Sequence, residues 1–161
     1  MTDKKLIFNN KNILLSVEES LFNFDLIKNY ADVEQVNKKD EFHVTLIGSE
    51  VSKNISDIQF IEIKKIAENL DWKFNLKPEY LYISKKYPNG EIRKSIIQLI
   101  ELPDMEKYYK KISEIIGEEI EVPVPHVTLF TNSTDSQNSL RGIAVYSEKD
   151  LETLSPRKII L

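Results

Sequence analysis

The sequence contains no cysteine. Disulfides, thiolate nucleophiles and cysteine-ligated zinc are thereby excluded. It has only two histidines, and neither falls in a His-x-x-x-His or His-x-x-Glu-His spacing, so a zinc site would need carboxylates that nothing in the sequence marks. Long apolar runs are missing too. Residues 1–10, MTDKKLIFNN, are too polar for a secretory leader, and no later run reaches the length of a membrane-spanning helix. A cytoplasmic protein without a membrane partner is expected. Positive charge is not in excess either: the formal net charge is −4. That weighs against a protein built to grip long nucleic acid, a DNA duplex above all, because such proteins set many cations against the phosphate backbone. A small cyclic or terminal phosphodiester needs only a few local donors and is not excluded.

What is present describes an ordinary globular chain. Its 161 residues are 41% hydrophobic and 30% charged, enough for one domain that buries roughly two thirds of its unfolded surface. Residues 13–17 (ILLSV) read as a first, central strand, residues 21–30 as a short helix, and residues 31–41 as a polar surface connection. Residues 42–48 (FHVTLIG) form a strong strand candidate closed by glycine. The spacing of Ile58, Ile61, Ile63, Ile66 and Leu70 predicts a helix over 57–70. Trp72, Phe74 and Leu76 alternate with polar residues as in a half-buried strand, and residues 80–84 predict another. Pro88-Asn89-Gly90 marks a turn, with residues 91–102 returning as the second arm of a hairpin. A second helix runs from Asp104 until Gly117. Pro123 and Pro125 suit an approach segment, so the next strand begins near His126. Residues 132–138 read as a polar loop, 143–146 as a last strand, and 150–154 as a helical turn. The predicted class is α+β, with antiparallel strands facing a shared groove and helices outside.

Both histidines open the same tetrapeptide, His43-Val44-Thr45-Leu46 and His126-Val127-Thr128-Leu129. Agreement at all three following positions has a chance on the order of one in several thousand at background composition. On a strand, His43 and Thr45 point one way and Val44 and Leu46 the other, and the second copy behaves alike. Each strand can therefore pack an apolar face on the core and offer an imidazole and a hydroxyl to a cleft. Phosphodiester cleavage needs one oxygen to lose a proton and another to gain one across phosphorus. Imidazole serves either role near neutral pH, while threonine hydroxyls can donate to the non-bridging oxygens. A lone histidine beside a threonine would be read as a hydrogen-bonded structural residue; a matched pair that uses every histidine favours catalysis.

Paired His-x-Thr strands of this kind resemble the two-histidine (2H) phosphoesterase superfamily. That group includes RNA 2′,3′-cyclic phosphodiesterases, the bacterial enzymes called 2′-5′ RNA ligases, and 2′-5′ oligonucleotide phosphodiesterases. The resemblance covers most of the chain, and the Gly48 ending of FHVTLIG also looks like the family's first motif. It implies two similar lobes around a cleft with one motif in each, His43 and His126 as the catalytic pair, and Thr45 and Thr128 as phosphate ligands. It implies a metal-independent reaction with no cofactor, acting on a nucleotide or RNA-terminus phosphodiester. A monomer is expected. No arginine stands beside either motif.

Other residues carry two readings each. Tyr80 and Tyr82 share a strand face and can stack a base or pack in the core. Arg93, with Lys85, Lys86 and Lys94, surrounds the hairpin turn as a solvated tip or as a cationic rim. Ser95 and Gln98 are groove candidates of unread register, and Ser133 and Ser136 sit in a loop that can border the cleft. Two rival functions remain: a nucleotide or RNA-end binder without turnover, and a metal-dependent phosphohydrolase using unmarked carboxylates.

Overall fold

A computed structural model describes residues 5–161; residues 1–4 of the polar opening segment lie outside them. The described residues are α+β, with two antiparallel sheets and five α-helices. The smaller sheet joins β1 (Leu6–Asn9), β2 (Asn12–Ser16) and β4 (His43–Ile47), with β2 in the middle. The larger has the order β3 (Asn37–Lys38), β7 (His126–Ser133), β6 (Ile92–Glu101), β5 (Asn75–Lys86) and β8 (Arg157–Lys158). The helices are α1 (Lys28–Glu34), α2 (Ser49–Ser52), α3 (Asp57–Asn69), α4 (Asp104–Ile116) and α5 (Glu148–Thr153). Each sheet carries one HVTL strand. Among the described residues no helix is long and apolar enough to cross a membrane.

Local chemistry explains the two long helices. Ser56 and Gln59 close a reciprocal capping box at the start of α3. Gly117, at φ 86°, ends α4 in the left-handed region that glycine enters without a steric penalty. Met105, Tyr108, Tyr109 and Ile112 fall on one face of α4 and are buried against the sheets. Their hydroxyls are not orphaned: Tyr108 donates to the Ile63 carbonyl at 3.1 Å and Tyr109 to the Leu46 carbonyl at 2.6 Å. Tyr109 thus ties α4 to the last residue of the first HVTL.

The main core gathers Ile13, Leu15, Val44 and Leu46 from the small sheet with Val127, Leu129, Ile96 and Ile100 from the large one. A second cluster, Leu81, Ile83, Ile97, Ile143, Val145 and Leu154, lies on the opposite face of the large sheet. The valine and leucine of both HVTL copies are therefore buried as strand alternation requires, and they leave the histidines and threonines to face elsewhere.

Several local expectations are corrected. Strand 13–17 is central but not first, because β1 precedes it and pairs along it. The expected helix over 21–30 is two single 3-10 turns followed by α1, because Phe22 and Phe24 turn into an aromatic group with Phe42 instead of lining one helical face. Residues 31–41 are more than a surface connection: they contain β3, which crosses to the large sheet and pairs with β7. Trp72 is not in a strand. Its φ is 56°, and its indole is buried with Nε1 donating to the Ala67 carbonyl at 2.8 Å. The strand starts at Asn75 and runs through an irregularity between Leu76 and Tyr80, so two expected strands are one. Residues 143–146 pair with no strand; Ile143 and Val145 alternate because they cover the large sheet's outer face, and the last strand is β8.

Candidate active site

The first HVTL begins at the edge of the small sheet, where Ser16 pairs with His43 and Leu14 with Thr45. The second begins β7, where His126 pairs with Leu99 and Thr128 with Ile97. A bulge follows, between Ile96 and Ile97 on the partner strand. It places Leu129 and Phe130 both in the core while His126 and Thr128 keep the opposite face.

All four motif side chains line one cavity of about 470 Å³. Its floor and walls include Leu14, Ile47, Tyr109, Val124, Ile143 and Val145, with Lys39, Ser49, Glu50 and Tyr146 among the polar groups. Two glycines let backbone approach the threonines closely. A Cβ on Gly142 would lie 3.3 Å from the Thr128 Oγ1, and one on Gly48 3.4 Å from the Thr45 Cγ2. Each hydroxyl-bearing side chain is thus flanked by a residue with no side chain of its own.

The two imidazoles are held differently. His126 Nδ1 lies 2.8 Å from the Val124 carbonyl oxygen. Because that oxygen can only accept, Nδ1 carries the proton and donates, which leaves Nε2 as the ring's free nitrogen. Burial pushes the His126 pKa below its ordinary 6.5, opposed by that backbone hydrogen bond. His43 Nδ1 stands 3.9 Å from a Glu41 carboxylate oxygen, too far for a hydrogen bond. Its pKa is lowered by burial first, then by the Lys39 ammonium, with Glu41 opposing and His126 adding a further lowering. His126 is close enough to disfavour charge on His43.

Lys39, Tyr146 and Ser49 were not singled out from sequence. Lys39 reaches the cavity because the backbone following β3 continues its pairing with β7: the Lys39 N–H donates to the Leu129 carbonyl at 2.9 Å. No local pattern marks it, and a search for arginine beside the motifs passes over it.

The weaker sequence candidates fall elsewhere. Tyr80 pairs across β6 with Gln98 and Tyr82 with Ile96, and those residues pair with Val127 and Phe130. Both tyrosines therefore share the core face of the large sheet, opposite His126 and Thr128, and both are buried. Gln98 is buried on that same face, where its amide donates to the Lys77 carbonyl at 2.8 Å. Ser95 is buried without lining the cavity. Arg93 is neither a solvated tip nor a cavity cation. Its Nε donates to Glu91 at 2.9 Å, its guanidinium lies over the Tyr87 ring, and Nη1 reaches the Gly142 carbonyl at 3.5 Å. Glu91 also accepts from Ser133 at 2.6 Å and Asn138 at 2.9 Å. The Arg93 hydrogen bond, followed by that from Ser133, brings the Glu91 pKa down to about 2. This network braces the segment that carries Gly142 against Thr128.

Among the described residues, no group of three or more His, Asp or Glu side chains is disposed to hold a metal ion. Comparison of the chain with protein-family models, curated proteins and solved structures finds no match. The chemistry has to be argued from the cavity itself.

Proposed function

We propose that the chain is a metal-independent phosphodiesterase of the two-histidine kind, hydrolysing 2′,3′-cyclic phosphates or related nucleotide and RNA-end phosphodiesters. The observation that carries this reading is the convergence of both His-x-Thr pairs, from different sheets, on one cavity. Two lobes with one motif each, as in the 2H superfamily, fit that arrangement.

The two surroundings suggest a division of labour. His126, with its Nδ1 proton committed to Val124, offers the Nε2 lone pair and suits the general base. His43 alone of the two has a carboxylate, Glu41 at 3.9 Å, that opposes the lowering of its pKa by burial and Lys39, and it suits the general acid. On a 2′,3′-cyclic phosphate, His126 takes a proton from water as its oxygen attacks phosphorus. The bond to one ribose oxygen breaks, and His43 supplies the proton that makes it a hydroxyl. The products are a ribose hydroxyl and a phosphomonoester. Thr45 and Thr128 donate to the non-bridging oxygens, where charge gathers in the transition state. Of the two aromatic rings on this cavity Tyr109 is buried, so Tyr146, not Tyr80 or Tyr82, is the one open to a base.

Phosphorus NMR on 2′,3′-cyclic mononucleotides and 2′-5′-linked dinucleotides, in EDTA, tests the proposal. Conversion to a phosphomonoester, undiminished by the chelator, supports it. Binding without product assigns the cavity to a nucleotide binder, and activity abolished by EDTA assigns it to a metal-dependent hydrolase.

A further inference from the structure

We propose that Lys39 is the anion anchor of the cavity, its ammonium holding a phosphate oxygen of the bound ester beside the two histidines. This rests on the phosphoester reading above and names the residue that would give the cavity its affinity for a charged ligand.

Three observations carry it. Lys39 is the sole Lys or Arg among the described residues that line the cavity, where it stands with His43, Thr45, His126 and Thr128. Its backbone is fixed to the second motif through the hydrogen bond to Leu129, although it precedes the first motif in sequence. It therefore sits where the two sheets meet. Finally, its ammonium makes no hydrogen bond or ion pair within the described residues; Glu41 and Asp40 act on it only from longer range. Neighbouring lysines differ in this respect. Lys38 pairs with Glu19 and lies over the Phe24 ring, Lys11 pairs with Asp57, and Lys53 pairs with Glu50.

An ammonium that is partly withdrawn from water and left without a direct partner carries a desolvation cost, which Glu41 and Asp40 offset only in part. Burial accordingly makes Lys39 easier to deprotonate than an exposed lysine. A phosphate oxygen arriving in the cavity supplies the missing partner as a charge-assisted hydrogen bond. It also cancels the repulsion that Lys39 exerts on a charged His43. Ligand binding would thus help ready the acid for its proton transfer. The threonine hydroxyls alone are neutral donors and attract an anion weakly; Glu50, Glu119 and Glu121 on the same lining repel it. Lys39 is what makes anion binding in this acidic cavity favourable.

The test is an NMR titration with inorganic phosphate, following the ring protons of His43 and His126. The parent should show saturable shifts at both rings. Lys39→Gln should weaken phosphate by about tenfold or more, the loss of one charge-assisted bond. Lys39→Arg should recover most of that affinity, and Lys38→Gln, outside the cavity, should leave it unchanged. Thermal melting of each variant separates misfolding from loss of the anchor. Equal phosphate affinity in the parent and Lys39→Gln, or no shift of the His43 ring at saturating phosphate, overturns the proposal. The titration needs no turnover. Lys39-dependent phosphate binding without hydrolysis would uphold the anchor and remove the phosphodiesterase reading, while hydrolysis with a KM indifferent to Lys39→Gln would do the reverse.

Discussion

The two HVTL strands have the same sequence and different surroundings. β7 lies inside the large sheet, flanked by β3 and β6, and its histidine is held at 2.8 Å by a backbone carbonyl. β4 is an edge strand of the small sheet, and its histidine feels the charges of Lys39 and Glu41, which act on its pKa in opposite directions. The first arrangement sets the ring's tautomer and direction; the second sets its charge. An acid–base pair needs both kinds of control, because one ring must begin neutral and aimed while the other must begin protonated. On the proposed reading, the sequence repeat supplies the reacting groups and the difference between the sheets distinguishes their roles.

That comparison can be broken by mutation. Replacing either histidine with alanine should lower kcat/KM by a factor on the order of a hundred or more. The double variant should be little worse than the poorer single one, since groups that act in one step do not contribute additively. Steady-state rates on a 2′,3′-cyclic nucleotide check this, and strictly multiplicative losses would separate the two rings into independent roles. Thr45→Val and Thr128→Val should each cost about tenfold in kcat with less change in KM, as expected for donors whose bonds strengthen as charge develops. Equal losses in kcat and kcat/KM would fit that picture; a rise in KM alone would make them ground-state ligands.

The glycines give a finer contrast. Gly142→Ala puts a methyl group 3.3 Å from the Thr128 hydroxyl oxygen, whereas Gly48→Ala meets only the Thr45 methyl at 3.4 Å. The first should lower kcat several-fold, of the order expected for a small displacement of a reacting group, and the second by less than about twofold. Reversal of that order would mean that Thr128 is free to move without consequence.

Much of this is legible in the sequence. The HVTL pair is, because strand alternation alone puts His43 with Thr45 and His126 with Thr128. So are α3 and α4, whose caps and apolar faces are local properties of the chain. Lys39 is not: its place in the cavity depends on β3 crossing to β7, a long-range pairing that no local pattern announces. The two readings of the tyrosines stay open for a related reason. Period-two spacing tells that Tyr80 and Tyr82 share a face, but only their register with β6 and β7 tells which face. Ile143 and Val145 show the converse, an alternation that reports burial correctly while the backbone forms no ladder.

A smaller effect is expected on stability. In the folded chain both imidazoles are held below the ordinary 6.5, chiefly by burial. The unfolded chain therefore takes up protons first as pH falls, so stability present above pH 6.5 declines as pH drops through the folded values. Urea midpoints at about pH 7.5 and about pH 5.5 should differ more for the parent than for a His43→Asn, His126→Asn double variant. Identical differences would place both rings in water-like surroundings.

The dependence of kcat/KM on pH, measured for the parent and for whatever activity each single-histidine variant retains, bears most directly on the two-ring account. The account predicts a bell with its maximum on the acidic side of 6.5, because burial lowers both rings, and the loss of one limb in each variant. A parent profile without a bell, or variants that keep both limbs at the parent rate, would contradict it.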